Sequence, residues 1–358
     1  MLCYLIYEKV QRHKIKSGFL IITVSCLVLY LLINVRNNYP VFDVFLKVVD
    51  YKDMKVLVPL VSVVLPNFNH ARFLRNRIDS ILQQTYTNYE MIILDDCSTD
   101  NSMDVINQYK DEPRLKMVVR NEQNSGSPFK QWNKGISLAH GELIWIAESD
   151  DACSPDFLAT MVERHKEHPD AVIAFCRSQI INEKGEKSGG YTCSKRFREF
   201  YTGREFIDHF LMWHNDITNA SSVLFKREEA LQICGDYMNY RSSGDRLFWI
   251  LLCEKGGVTF KDSPMNYHRI HGDNTTSTNF LSGSSYKQDV QILHYLEKHH
   301  IISRWNAFRV KKYHVTYIKY RDEIFKDNKA LQDEILSEWN PSIWVKLASW
   351  ISNRLNKY

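Results

Sequence analysis

The sequence has no cysteine pair at metal or redox spacing: its eight cysteines, at positions 3, 26, 97, 153, 176, 193, 234 and 253, form no CxxC. That excludes zinc ribbons and thioredoxin-type chemistry and predicts reduced thiols packed as small hydrophobes. Glycine is scarce, 14 residues in 358. None follows the run Val61 to Leu65 (VSVVL), where a dinucleotide fold or a P-loop needs glycines so that backbone can approach phosphate. Charge is nearly balanced, at +4, and no basic stripe with interleaved stacking aromatics is present, so nucleic acid is not an expected partner. There is no internal repeat and no low-complexity tract. Long apolar runs are missing with one exception, Gly18 to Val35.

What is present centres on Leu143 to Asp151, LIWIAESDD, an apolar strand running straight into Glu148, Ser149, Asp150 and Asp151. Carboxylates this dense repel one another, and a fold keeps them together when a cation or a hydrogen-bond network compensates. Hard divalent ions such as Mg²⁺ and Mn²⁺ take oxygen ligands, commonly one or two carboxylates plus the phosphates of a substrate. The competing reading is helix capping, with Ser154 and Pro155 opening a helix over Pro155 to His168. Capping accounts for Ser154 and Asp156 and leaves Glu148 and Asp150 without a role.

The surrounding pattern is strand, helix, strand. Val61 to Leu65 and Tyr89 to Leu94 are continuous apolar runs, as in strands covered on both faces. Helical periodicity covers Ala71 to Gln83, Ser102 to Lys110 and Pro128 to Ala139, with strands at Leu115 to Arg120 and Leu143 to Ala147. Alternation at this spacing predicts right-handed crossovers and a mainly parallel sheet, an α/β fold. Ligands of such sheets sit beyond the carboxyl ends of the strands. Pro66 to Asn69, Asp95 to Ser98 and Glu148 to Asp151 all fall there. An EF-hand over Asp96 to Asn107 is excluded, because Asn101 stands at the turn glycine and Asn107 at the terminal Glu.

Taken in order, VSVVLPNFN, ILQQTYTNYEMIILDDCSTDNS and WNKGISLAHGELIWIAESDD resemble the family 2 inverting nucleotide-sugar glycosyltransferases of the GT-A fold, over about Val61 to His168 and more weakly to Thr276. The resemblance implies a Rossmann-like sheet flanked by helices over residues 59–276. It implies that Pro66, Phe68 and Asn69 border the nucleoside and that Asp96, beside Asp95, accepts from the base. An acceptor-only carboxylate suits the N–H of uracil. Asn133 and Gly135 fit the family's helix, with Trp132 where many relatives carry Arg. Asp150 resembles the family's metal ligand. Glu148 stands where Asp is usual, which points to ribose or water-mediated contact, and Asp151 is grouped with the donor-binding residues.

Inversion also needs a base to take the acceptor's proton. SSGDRLFWILLC places Asp245 at the start of an apolar helix and resembles the family stretch whose Asp is that base, with Gly244 in place of Glu. A simple N-cap role for Asp245 is the competing reading. YHRIHGDNTT resembles the family's Tyr-Arg-x-His segment, which implies that His271 reaches back to the metal or the diphosphate and that Arg269 pairs with phosphate.

The ends suggest a membrane. Gly18 to Val35 carries no charge and, at about 1.5 Å per residue, spans a hydrocarbon core of about 30 Å. The expected order is a basic segment 1–17, a transmembrane helix 18–35, a linker 36–58, the catalytic domain 59–276 and a helical region 277–358. Met54 opens a shorter frame that keeps the whole catalytic domain. Flanking charge alone puts the catalytic domain outside the cytoplasm. The sequons at Asn219 and Asn274 fall near active-site segments, where a glycan would obstruct chemistry, which favours the cytoplasmic face of a bacterial inner membrane. Within 341–358, Ile343, Trp344, Leu347, Ile351 and Leu355 line one helical face beside basic residues, the pattern of an interfacial helix or of a helix packed on its own domain.

The expected activity is non-processive transfer of a sugar, with inversion, from a nucleoside-diphosphate donor, uridine-linked, to a saccharide or polyprenyl-linked acceptor, using Mg²⁺ or Mn²⁺. A sugar nucleotidyltransferase would require the missing glycine-rich loop. A catalytically silent sugar-nucleotide-binding scaffold is compatible with Gly244 and Glu148.

Overall fold

The computed structural model describes residues 58–192, 196–272, 283–320, 325 and 328–355. The expected basic segment, transmembrane helix and most of the linker lie outside the described residues, as does the sequon at Asn274. Among the described residues no helix is long and apolar enough to cross a membrane.

The first half alternates as its periodicity requires. Strand β1 (Val61–Asn67), helix α1 (Ala71–Leu82), β2 (Tyr89–Asp95), α2 (Ser102–Asn107), β3 (Leu115–Arg120), α3 (Pro128–Leu138) and β4 (Leu143–Ile146) follow one another. The strands lie in the order β3-β2-β1-β4, all parallel. Every residue of β1 and β2 is buried. Alternation along β1 sends Val61, Val63 and Leu65 to a core with Leu74 and Ile78 of α1, and Val64 to an opposite core with Phe129, Trp132 and Ile136 of α3.

The second half departs from the expected parallel order. It comprises β5 (Ala152–Cys153), α4 (Phe157–Glu167), β6 (Ala171–Ile181), β7 (Lys187–Tyr191), β8 (Phe200–Tyr201), α5 (Gly203–Phe206), β9 (Val223–Lys226), α6 (Arg227–Leu231), α7 (Gly244–Cys253) and β10 (Gly257–Arg269). Strand β9 inserts antiparallel to both β4 and β6, while β10 runs parallel to β6 and antiparallel to β5. The ten-stranded sheet is therefore mixed. An apolar run such as Val223 to Phe225 specifies a buried strand but not its direction, which depends on the end at which the preceding loop enters.

One helix boundary moves for an identifiable reason. Helix α4 opens at Phe157, not Pro155, because Ser154 is held in the sheet: its N–H donates to the Met265 carbonyl (2.8 Å) and its own carbonyl accepts from Gln84 Nε2 (2.7 Å). Helix α5 is opened by a capping box between Thr202 and Glu205 and is followed by a π turn over Ile207–Leu211.

Among the described residues the C-terminal region carries the helices α8 (Ser284–Lys298), α9 (Arg304–Tyr320), α10 (Lys329–Trp339) and α11 (Ile343–Leu355). Val290, Leu293, Val310, Ile335 and Trp339 join the same apolar cluster as Leu247 and Phe248 of α7. These helices extend the catalytic core and form no separate body.

Candidate functional site

Three loops meet around helix α3. From this helix Gln131 Nε2 donates to Asp96 Oδ1 (2.9 Å), at the end of β2. The Trp132 indole N–H donates to Glu148 Oε1 (2.8 Å), beyond β4. Trp132 also packs on Phe248 and Trp249 of α7, the helix that carries Asp245. One amphipathic helix thus fixes the Asp96 loop, the acidic loop and the proposed base relative to one another.

At the end of β1 Phe68 is exposed, at 44%. Asn69 and Cys97 hold left-handed backbone, φ 56° and 63°. The Asn69 side chain accepts from Thr99 N–H (2.8 Å), and Asn67 Nδ2 donates to Asp95 Oδ1 (2.9 Å), so the ends of β1 and β2 are stitched together. Asp95 is fully buried and also accepts from Ser98 N–H (3.0 Å); it is a bracket between the loops. Asp96 Oδ1 accepts from Asn121, Ser125 N–H and Gln131, whereas Oδ2 accepts from the Ser125 hydroxyl. Pro66 is the penultimate residue of β1, and Asn133 Oδ1 accepts from the Tyr237 hydroxyl (3.2 Å).

The acidic loop divides its carboxylates. Asp151 turns inward and accepts from Arg269 N–H (3.0 Å) and Asn219 Nδ2 (2.9 Å). Burial alone would raise its pKa, but the hydrogen bond and charge of His268, with Arg77 behind, hold it well below the usual carboxylate range. Glu148 is tied to Trp132. Burial first, and then the Asp150 charge, push its carboxyl up to about 8. Trp132 itself is 2% exposed, so both Trp132 and Glu148 form the wall behind the site. Arg269 is 3% exposed and donates to the carbonyls of Asp150, Asn182 and Glu183 and to Asn76 Oδ1. It staples the acidic loop to its neighbours. Asp150 alone of the loop's acids faces His271, with Oδ2 at 3.1 Å from Nε2. Ligands bonded at about 2.1 Å in adjacent positions of a metal lie about 3 Å apart, so this pair fits a cation.

Asn219 is 8% exposed and donates to Asp151, so its amide is not available to a glycan in the folded chain.

Asp245 is the second residue of α7; the capping position is Ser243, whose side chain makes no cap. The capping explanation for Asp245 therefore fails. Its Oδ2 accepts from Asn215 Nδ2 (2.6 Å) and its Oδ1 from Arg246 N–H (2.7 Å). Burial raises its pKa to about 6, against the opposing effect of those two donors. A carboxyl poised near neutrality suits a general base. Gly244 is there for space: a Cβ would collide with the Tyr237 carbonyl and lie 2.5 Å from Phe129 Cδ2.

Sequence reasoning missed several contributors. Helix α8 supplies Gln288, whose Oε1 accepts from the N–H groups of Arg241, Ser242 and Ser243 (3.1, 3.0 and 3.0 Å), and Asp289, which pairs with Arg246. Both steady the loop before Asp245, although residues 280–336 carry no chemical motif. His70, absent from the expected ligands, lies with Asp150 and His271, one potential ligand atom from each falling within 4.8 Å of the others. Arg77 is fully buried over the Trp145 ring (4.7 Å) beneath the acidic loop. No periodicity marks any of these, since each acts across sequence-distant elements.

The model of the family described as Glycosyl transferase family 2 matches residues 62–230. Over 202 residues the chain is 29% identical to a Bacillus subtilis protein assigned to teichuronic acid biosynthesis as glycosyltransferase TuaG, covering 56% of this chain and 75% of that one. It is 27% identical over 294 residues to the chondroitin synthase of Pasteurella multocida, covering 78% of this chain and only 27% of the synthase. In fold it resembles Staphylococcus aureus TarS 1–349, solved in complex with UDP-GlcNAc, at a TM-score of 0.51 and 19% identity, covering 78% of this chain and 71% of that one.

Proposed function

We propose that the chain transfers a sugar, with inversion, from a uridine diphosphate donor to a saccharide or polyprenyl-linked acceptor in cell-surface polysaccharide or glycolipid assembly. The observation that carries this reading is that α3 links the Asp96 loop, the acidic loop and the helix bearing Asp245. Relatives named for teichuronic acid and chondroitin synthesis support the class of product.

In this reading the acceptor hydroxyl gives its proton to Asp245 as its oxygen attacks the anomeric carbon. The bond from that carbon to the diphosphate breaks, and the electron pair leaves with the phosphate oxygen. Asn215 keeps Asp245 oriented and Arg246 N–H steadies its charge. Phe68 borders the base, and Asp96 Oδ2 accepts from the base N–H. Asp150 and His271 would hold a divalent cation, Mg²⁺ or Mn²⁺, which when bound neutralises the departing diphosphate.

Membrane association is part of the proposal. Helix α11 is turned inside out for a soluble helix: Val345 and Ser349 are buried, while Ile343, Trp344, Leu347, Trp350, Ile351 and Leu355 are exposed, Leu355 at 73%. Arg354 lies over the Trp350 ring (4.2 Å). An outward apolar arc with tryptophan and basic residues suits the headgroup boundary of a bilayer, where a polyprenyl-linked acceptor would be met.

The test is a panel of nucleotide sugars incubated with the full chain and Mn²⁺. Free uridine diphosphate is the expected product; pyrophosphate exchange would indicate a nucleotidyltransferase, and no turnover with any donor or acceptor would contradict a transferase.

A further inference from the structure

His70 closes β1's loop onto α1, at the position where helices favour Ser, Thr, Asp or Asn, and its side chain makes no cap. Asp100 does that work from the neighbouring loop, accepting from Ala71 N–H (2.9 Å). The imidazole instead turns to the acidic loop. Its Nδ1 lies 2.8 Å from Ser149 Oγ, and its ring stands edge-on to His271 with centroids 5.5 Å apart. Ser149 is 2% exposed, so the contact that orients the ring is itself fixed.

The donor set around this point is one carboxylate and two imidazoles. Asp151 is committed to Arg269, Asn219 and His268, and Glu148 to Trp132, which leaves Asp150 as the acid that faces the two histidines. A second acid–histidine group, Glu167, His168 and Glu199, contrasts with it. There the Arg164 guanidinium pairs with both glutamates and lies 3.0 Å from His168 Nε2, so that group already has its cation. Asp150 Oδ2 itself lies 3.1 Å from His271 Nε2.

We propose that His70 is a third protein ligand, so that Asp150, His271 and His70 form a two-histidine, one-carboxylate site that takes a first-row transition-metal ion before the donor arrives. The inference rests on the metal-assisted reading above and adds both a ligand and a selectivity to it. Mg²⁺ requires oxygen ligands and keeps its water, whereas imidazole nitrogen suits transition metals. Three protein ligands also remove the need for a diphosphate to complete the site. Ser149, by holding one ring nitrogen of His70, is a positioning residue of the kind that orients metal-bound imidazoles.

The experiment is a titration of Co²⁺ into the nucleotide-free full chain, followed by its visible absorption and by hyperfine-shifted imidazole N–H resonances. Saturation at one ion per chain with two shifted imidazole signals is expected, as is a loss of at least tenfold in affinity in His70→Ala, with millimolar Mg²⁺ failing to displace the ion. A single imidazole signal in the unmodified chain, or an unchanged affinity in His70→Ala, would overturn the proposal; the signal count needs no variant and stands even if His70→Ala misfolds. Measuring uridine diphosphate release on the same preparation separates the two readings. Release with one imidazole signal removes His70 alone, and two signals without release remove the transferase while keeping the site.

Discussion

Asn215 donates its amide N–H to Asp245 Oδ2 at 2.6 Å, across the gap between the loop following the π turn and the start of α7. This bond favours the charged carboxylate, against burial that favours the neutral acid. The acid limb of kcat/KM is therefore expected near pH 6. In Asn215→Ala the lost donor raises the pKa, and the limb moves up by about one unit. The variant is slower than the parent at pH 6 and approaches it above pH 8. A pH–rate profile of both proteins checks this, and an unshifted limb would deny Asn215 its role.

The same residue gives a stability prediction of definite sign. The Asp245 pKa of about 6 in the folded chain lies above the unfolded value of about 3.9. Its contribution is fully present below pH 4 and is lost as pH rises through 6. Asparagine cannot ionise and avoids that loss. Asp245→Asn is expected to melt at a higher temperature than the parent at pH 7.5, with the difference shrinking towards pH 4, as thermal unfolding at the two pH values would reveal.

Replacing Gly244 reverses the usual helix rule. Glycine to alanine inside a helix ordinarily gains up to about 1 kcal/mol. Here the new Cβ meets the Tyr237 carbonyl and the Phe129 ring. Gly244→Ala is expected to lose about 1–3 kcal/mol, the cost of overpacking, measured by denaturant unfolding. Any side chain at this position, glutamate included, would meet the same Tyr237 carbonyl and Phe129 ring.

The outward face of α11 predicts a separable function. Replacing Ile343, Trp344 and Leu355 by serine removes exposed apolar groups only. Binding of residues 59–358 to anionic vesicles is expected to fall at least tenfold with no loss in melting temperature. Unchanged vesicle binding would argue that the face serves something other than lipid.

Much of the fold was legible because β1, β2 and α7 are covered on every side, and burial of that kind writes continuous apolar runs into the chain. The boundaries of β3 could be read for a similar reason, its alternation of half-buried and exposed residues being confined to Leu115–Arg120. The direction of β9 was not legible, because the same residues serve a strand running either way. In the acidic loop the sequence located the carboxylates but not their facing: Asp150 and Asp151 are adjacent, and backbone geometry alone sends one towards His271 and the other towards Arg269 N–H. Gln288 and Asp289 on a helix, and His70 just before one, escaped notice because a single polar residue carries no pattern; its meaning lies in the partner it reaches.

Asp150→Ala should weaken Mn²⁺-dependent donor binding more than tenfold, by calorimetry with and without the ion, and leave metal-free nucleotide binding little changed.

The most direct test of the account is Asp245→Asn assayed for both transfer and donor binding. Transfer is expected to fall by at least a thousandfold while uridine diphosphate sugar binds within about threefold of the parent. Turnover at the parental rate in this variant would contradict the assignment of Asp245 as the base and, with it, the proposed chemistry of the site.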